Sequence, residues 1–185
     1  MGSVRTHRPV LCFLAAFSRH IDALEWARRK TTEAWGPIAL ASPVLPFSET
    51  AFYEASMGPS LQIQLLGFER LMDPAAMVAR KHEANAWEVE FRDSHQHEEP
   101  RPLNLDPGYV SEAKLILAST KDRDHRIYLD QGIFAEGTLY FQKGQWQSRP
   151  WTYPNYRRAD YQQFLTTCRD YLRDRYRREK ESSSR

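Results

Sequence analysis

Residues 113–129 read AKLILASTKDRDHRIYL. The apolar run Leu115-Ile116-Leu117-Ala118 breaks into a polar burst from Ser119 to Arg126, and the chain turns apolar again at Ile127-Tyr128-Leu129. Periodicity does not separate helix from strand in so short an apolar run. On that ground residues 111–119 are ambiguous, and the balance tips to helix. Downstream, 126–129, 133–141 and 145–149 read as an antiparallel meander with turns at Asp130-Gln131-Gly132 and Lys143-Gly144. A last helix is predicted from about Asp160 to Lys180, with Tyr161, Phe164, Leu165, Cys168, Leu172 and Tyr176 on one stripe. Upstream, Leu103 to Leu105 is strand-like and runs into Asp106-Pro107-Gly108, a turn signal.

Residues 9–17 read as a buried strand. Ile21, Leu24, Ala27, Ala34 and Trp35 mark a helix that stops at Gly36-Pro37. Pro43 and Pro46 make 38–47 an edge strand. Ser48 caps a short helix that ends at Gly58-Pro59. Residues 61–69 form a strand, and Asp73-Pro74 opens a helix carrying Met77, Val78, Ala84, Trp87 and Phe91. This order predicts an α+β fold: a ferredoxin-like split βαβ core, extended by an antiparallel meander and a C-terminal helix. One domain spans 8–180, with loose ends at 1–7 and 181–185. A chain of 185 residues with 41% hydrophobic residues buries enough surface to fold without a staple. A net charge of +2 does not by itself indicate nucleic acid or membrane. Cys12 and Cys168 lack metal-ligand spacing and read as buried thiols. VLCFLAAF is too short to span a bilayer and lacks a cleavage site after it. The expectation is a cytoplasmic protein.

Several segments occur in a telling order: PFSETAFYEASMG, FERLMDP, NLDPGY, AKLILASTKDRDHRIYL, GIFAEGTLYF and WTYPNYR. Together they resemble a prokaryotic domain-of-unknown-function family, numbered four-four-one-six. The likeness runs from residue 9 to the last helix. It implies a single-domain protein and supplies no activity and no catalytic residue. The His-rich loop at 95–97 departs from the family pattern. Gly137 stands where a β-branched residue would suit a strand, which leaves open a bulge or a close backbone approach.

No P-loop, no G-x-G-x-x-G after a strand, no H-E-x-x-H and no G-x-S-x-G elbow is present. The polar burst offers Lys114, Lys121, Arg123 and Arg126 as cations, with Ser119 and Thr120 as hydroxyl donors. Such a set suits a phosphate or carboxylate. Asp122 or Asp124 can orient His125, an acid/base candidate near neutral pH. The bland alternative is a solvated turn. In NLDPGY, Asp106 is either a turn residue bonding its own backbone or a metal ligand or general base, with Asn104 and Tyr109 as partners. Glu136 is mid-strand, and alternation does not tell which face is buried. If its face is buried it needs a cationic partner. Trp151 and Tyr153 either stack a ring or belong to a strap across the sheet. His95, His97, Glu98 and Glu99 read as a flexible surface loop, so no metal site is expected. The C-terminal arginines sit among acids and read as an ion-paired face.

The leading expectation is one polar pocket that binds a small anionic ligand, a nucleotide or phosphometabolite. Its catalytic candidates are His125, Asp106 and Glu136. Its ligand-binding candidates are Asn104, Tyr109, Lys114, Thr120, Lys121, Asp122, Arg126, Trp151 and Tyr153. The alternatives are an RNA-binding module and a non-catalytic interaction protein. The sequence names no cofactor.

Overall fold

Val10–Ser18 (β1) shows no alternation of apolar and polar residues, and all 9 of its residues are buried. A strand of that kind needs cover on both faces. The computed structural model describes residues 2–3, 6–50 and 52–183, and it supplies that cover. β1 is followed by α1 (Ile21–Trp35), β2 (Ile38–Ala41), β3 (Leu45–Pro46), α2 (Glu54–Met57), β4 (Gln62–Met72) and α3 (Met77–Ser94). Then come β5 (Asn104–Val110), β6 (Lys114–Ser119), β7 (Arg126–Asp130), β8 (Ile133–Gln142), β9 (Gln145–Ser148) and α4 (Ala159–Ser183). The strands form one sheet in the order β2-β4-β1-β5-β6-β8-β7, with β3 beside β4 and β9 beside β8.

β1 is antiparallel to both β4 and β5, and β2 is antiparallel to β4. With α1 and α3 as connections, these strands make the predicted split βαβ core. Cys12, Leu14 and Ala16 face α1 and α3, where Leu24, Ala27, Trp35, Ala84, Trp87 and Phe91 close one core layer. Leu11, Phe13, Ala15 and Phe17 face the other way, towards Tyr161, Leu165, Cys168 and Leu172 of α4. The class is α+β, and the sheet lies between two helical layers. In the antiparallel extension β8 is central. β6 lies on one side of it, while β7 and β9 follow one another along the other. Gln131, Gly132, Lys143 and Gly144 all take positive φ, as tight hairpin turns require.

Four expectations change. Residues 114–119 are a strand, not a helix: Leu115 to Ala118 are buried between two strand neighbours, β5 and β8. Asp106-Pro107-Gly108 is not a turn but the middle of β5, paired with Phe13, Leu14 and Ala15 of β1. The short helix begins at Glu54, so Ser48 does not cap it. α4 continues to Ser183, past Lys180 and into the segment expected to be loose. Of the expected loose ends, residues 1, 4, 5, 184 and 185 lie outside the described residues.

Candidate functional site

β5 and β6 pair only where Gly108, Tyr109 and Val110 meet Leu117, Ile116 and Leu115. β5 reaches back to Asn104 and β6 runs on to Ser119, so beyond Gly108 and Leu117 the two strands part. Pro107 and Gly108 suit this geometry. Pro107 has no N–H to offer a ladder. A Cβ on residue 108 would stand 2.1 Å from the Ile116 carbonyl oxygen, so only glycine allows the approach. The parting leaves a cavity of about 110 Å³. β5 contributes Asn104 and Asp106 to it. β6 and its loop contribute Ser119, Thr120 and Lys121, and the outer strands Arg126 and Glu136. Lys81 and Asn85 of α3, with Arg101, Tyr53 and Tyr153, complete the wall.

One side of the cavity is an ion-paired clamp. Glu136 is 2% exposed, and its face of β8 is therefore buried. Its Oε2 accepts from Arg126 Nε at 2.9 Å, and a second Arg126 nitrogen is ion-paired to it at 2.8 Å. The ring Nε2 of His125 is 3.2 Å from the same oxygen, and Thr138 donates to Oε1 at 3.2 Å. The third Arg126 nitrogen donates to Ser119 Oγ at 2.8 Å and to the Lys121 carbonyl at 3.0 Å. Burial alone would lower the Arg126 pKa, but the Glu136 carboxylate reverses this and holds it above its ordinary value. Arg126 thus fixes both ends of the 119–126 loop. His125 lies just behind the cavity, its ring stacked on Trp151 with centroids 5.1 Å apart, while Trp151 donates to the Gly137 carbonyl at 3.0 Å.

The opposite side carries a second pair of compensated charges. Lys81 Nζ donates to the Leu105 carbonyl at 2.9 Å and to Asp106 Oδ1 at 3.1 Å. Asn104 Nδ2 donates to Asp106 Oδ2 at 2.9 Å. Behind them Glu88 accepts from Arg101 at 2.7 Å and from the Leu105 N–H at 2.7 Å. Burial pushes the Glu88 carboxyl up, against the pull of Arg101 and Lys81. Burial also raises the Tyr53 phenol, which stays a neutral hydrogen-bonding group. Lys121 enters no ion pair among the described residues, and its ammonium lies 5.0 Å from the Phe52 ring centroid.

The structure therefore brings Asn104, Asp106, Thr120, Lys121, Arg126, Glu136 and Tyr153 to one cavity, with His125 and Trp151 one step away. It does not bring Lys114, Tyr109 or Asp122. Lys114 starts β6 at its far end, exposed and opposite Tyr140. Tyr109 points to the α3 side, into a separate hollow with Met77 and His82. Asp122 is exposed on the loop. WTYPNYR lies as a strap that is buried only in part. Thr152, Asn155 and Tyr156 are buried, while the rings of Trp151 and Tyr153 remain partly exposed.

Tyr53, Lys81, Asn85, Glu88 and Arg101 were not found from the sequence. One of them carried a signal. Lys81 falls on the apolar stripe of α3, between Met77 and Ala84, and is buried there. A lysine on a core stripe must meet a partner. The C-terminal arginines lie elsewhere. Arg169 donates to the Glu112 carbonyl at the far end of β6, Arg175 to the Glu69 carbonyl, and Arg177 pairs with Asp174.

Among the described residues no helix is long and apolar enough to cross a membrane. A search of curated proteins and of solved structures returns no match. The model of the family described as Domain of unknown function (DUF4416) matches residues 8–171, almost the whole run from β1 into α4, and the chain belongs to that family.

Proposed function

We propose that the cleft between β5 and β6 binds a small anionic ligand of the nucleotide or phosphometabolite class. The observation that carries this is the charge arrangement. Arg126, Lys81 and Arg101 each have a carboxylate partner, which leaves Lys121 as the uncompensated cation beside two hydroxyls. A phosphate group takes charge from such a lysine and orientation from Ser119, Thr120 and backbone N–H groups. The rings of Phe52, Trp151 and Tyr153 are exposed and give a flat group such as a nucleobase a surface to stack on. Acid–base chemistry in this cleft falls to Asp106, whose carboxylate is 31% exposed and held by Lys81. Glu136 is already engaged by three side chains, Arg126, His125 and Thr138, and His125 reaches the cleft only through it.

The RNA reading has less support, because the basic loop and the C-terminal arginines do not share a face. Two buried, unpaired thiols support a reducing compartment, the cytoplasm, as the location. Calorimetric titration of a panel of nucleoside mono-, di- and triphosphates tests the proposal. At least one should bind wild type. Lys121→Ala should weaken it by about 1.5–3 kcal/mol, the worth of a charge-assisted hydrogen bond, at an unchanged melting temperature. If no member binds, or if Lys121→Ala binds as well as wild type, the proposal falls. Binding only to a short RNA, with a steep salt dependence, would put the RNA reading in its place.

A further inference from the structure

The segment DSHQHEEPRP between α3 and β5 holds chemistry that the cleft does not use. Glu99 meets His20, which immediately precedes α1 and stands 79 positions earlier in the chain. His97 joins them, so that one donor atom from each of His20, His97 and Glu99 lies within 4.8 Å of the other two. His20 Nε2 is 2.8 Å from Glu99 Oε2, and the two imidazole rings have centroids 4.1 Å apart. The side chains of His97 and Glu99 are only 12% and 9% exposed. An independent observation points to a missing partner. His97 Nε2 is buried and has no hydrogen bond among the described residues, although a ring nitrogen removed from water ordinarily has one. Asp22 Oδ2 stands 3.4 Å from it, outside the cluster.

We infer that His20, His97 and Glu99 form a binding site for a divalent transition metal of the zinc class. Two imidazoles and one carboxylate suit zinc and its neighbours, whereas magnesium and calcium take all-oxygen sets. Three protein ligands leave the fourth tetrahedral position to water, with Asp22 beside it. On binding, the ion takes a lone pair from one ring nitrogen of each histidine and one from Glu99. The His20–Glu99 hydrogen bond is replaced by a nitrogen–metal–oxygen bridge. The displaced proton moves to the other ring nitrogen of a neutral His20, or to solvent from a charged one. The two atoms must open from 2.8 Å to about 3.3 Å, the spacing of tetrahedral ligands each about 2.0 Å from zinc. Arg19 donates to Glu99 Oε1 at 2.6 Å. It orients the carboxylate, and its charge works against the ion, so affinity rests mainly on the imidazoles. The sequence alone hid this site because His97 and Glu99 have no second ligand nearby in the chain. The fold supplies it from the start of α1.

The test uses the full chain, stripped with a chelator and titrated with zinc against a chromophoric competitor. Wild type should take one equivalent. His97→Ala and Glu99→Gln should each weaken it about tenfold or more. His95→Gln, in the same segment but outside the cluster, should leave it unchanged. Cobalt should give a visible spectrum without a thiolate charge-transfer band, since both cysteines are buried in the core. Zinc should raise the melting temperature of wild type and not that of His97→Ala. Should either variant fail to fold, His20→Gln replaces it with the same expected loss. Wild type binding zinc no tighter than these variants, or His95→Gln losing as much as they do, overturns the inference.

Discussion

Arg126 and Lys121 stand five positions apart on one loop and should behave oppositely when truncated. The Arg126 and Glu136 side chains are 5% and 3% exposed. Arg126→Ala therefore strands a buried carboxylate and should cost about 3–5 kcal/mol in a urea titration. Lys121→Ala removes an exposed cation and should stay within about 0.5 kcal/mol. Both residues look alike in the sequence, as basic members of a charged loop. Only pairing across β7 and β8 makes one a clamp and leaves the other without a carboxylate partner among the described residues. Glu99 offers a pH reading in the metal-free protein. Its folded pKa lies below its ordinary value, so its contribution to stability is present above about pH 4.5 and is lost as pH falls towards about 2. The groups that face it are Arg19, His20 and His97. Thermal melts across that window should show a fall for wild type and a smaller one for Glu99→Gln. An equal fall in both would place the acid sensitivity elsewhere.

Two glycines separate what element patterning reveals from what it hides. Gly108→Ala drives a Cβ against the Ile116 carbonyl and should cost about 3 kcal/mol or more, because backbone on both sides resists the shift. Gly137→Ala meets only a side-chain methyl at 3.9 Å and should change stability by less than about 1 kcal/mol. Denaturant midpoints for the pair check both numbers, and equal losses would contradict the account of the seam. In the sequence, Asp106-Pro107-Gly108 has every mark of a turn. Local chemistry favours one, and the pairing with β1 overrides it. Likewise Leu115 to Ala118 carries no period that separates strand from helix. The strand state is fixed by β5 and β8, one of them close and the other about twenty residues away. Long elements with a clear stripe, α1, α3 and α4, were legible because their burial pattern repeats several times over.

At the scale of the whole molecule the split βαβ core followed from element order. Strand order within the extension did not, since nothing local puts β8 between β6 and β7. The two core layers give a further test. Cys12 belongs to the layer under α1 and α3, and Cys168 to the layer under α4, so the sheet itself separates the thiols. Burial pushes the Cys12 thiol up to about 12. Both should be counted as free in denaturant and react with a thiol reagent in the native state only as fast as the protein unfolds. A disulfide found between them would contradict the layering.

The short seam between β5 and β6 has one more consequence. Three residue pairs are all that join the strands β6 to β9 to the rest of the sheet along that edge. In native-state hydrogen exchange the amides of β7, β8 and β9 should therefore open as a separate cooperative unit, at lower free energy than those of β1 and β4. The cleft lies across the line of this opening, with Asp106 and Lys81 on one bank and Lys121 and Glu136 on the other. A ligand that touches both banks acts as a cross-brace, and its occupancy would be read most directly as slowed exchange in strands that it scarcely touches.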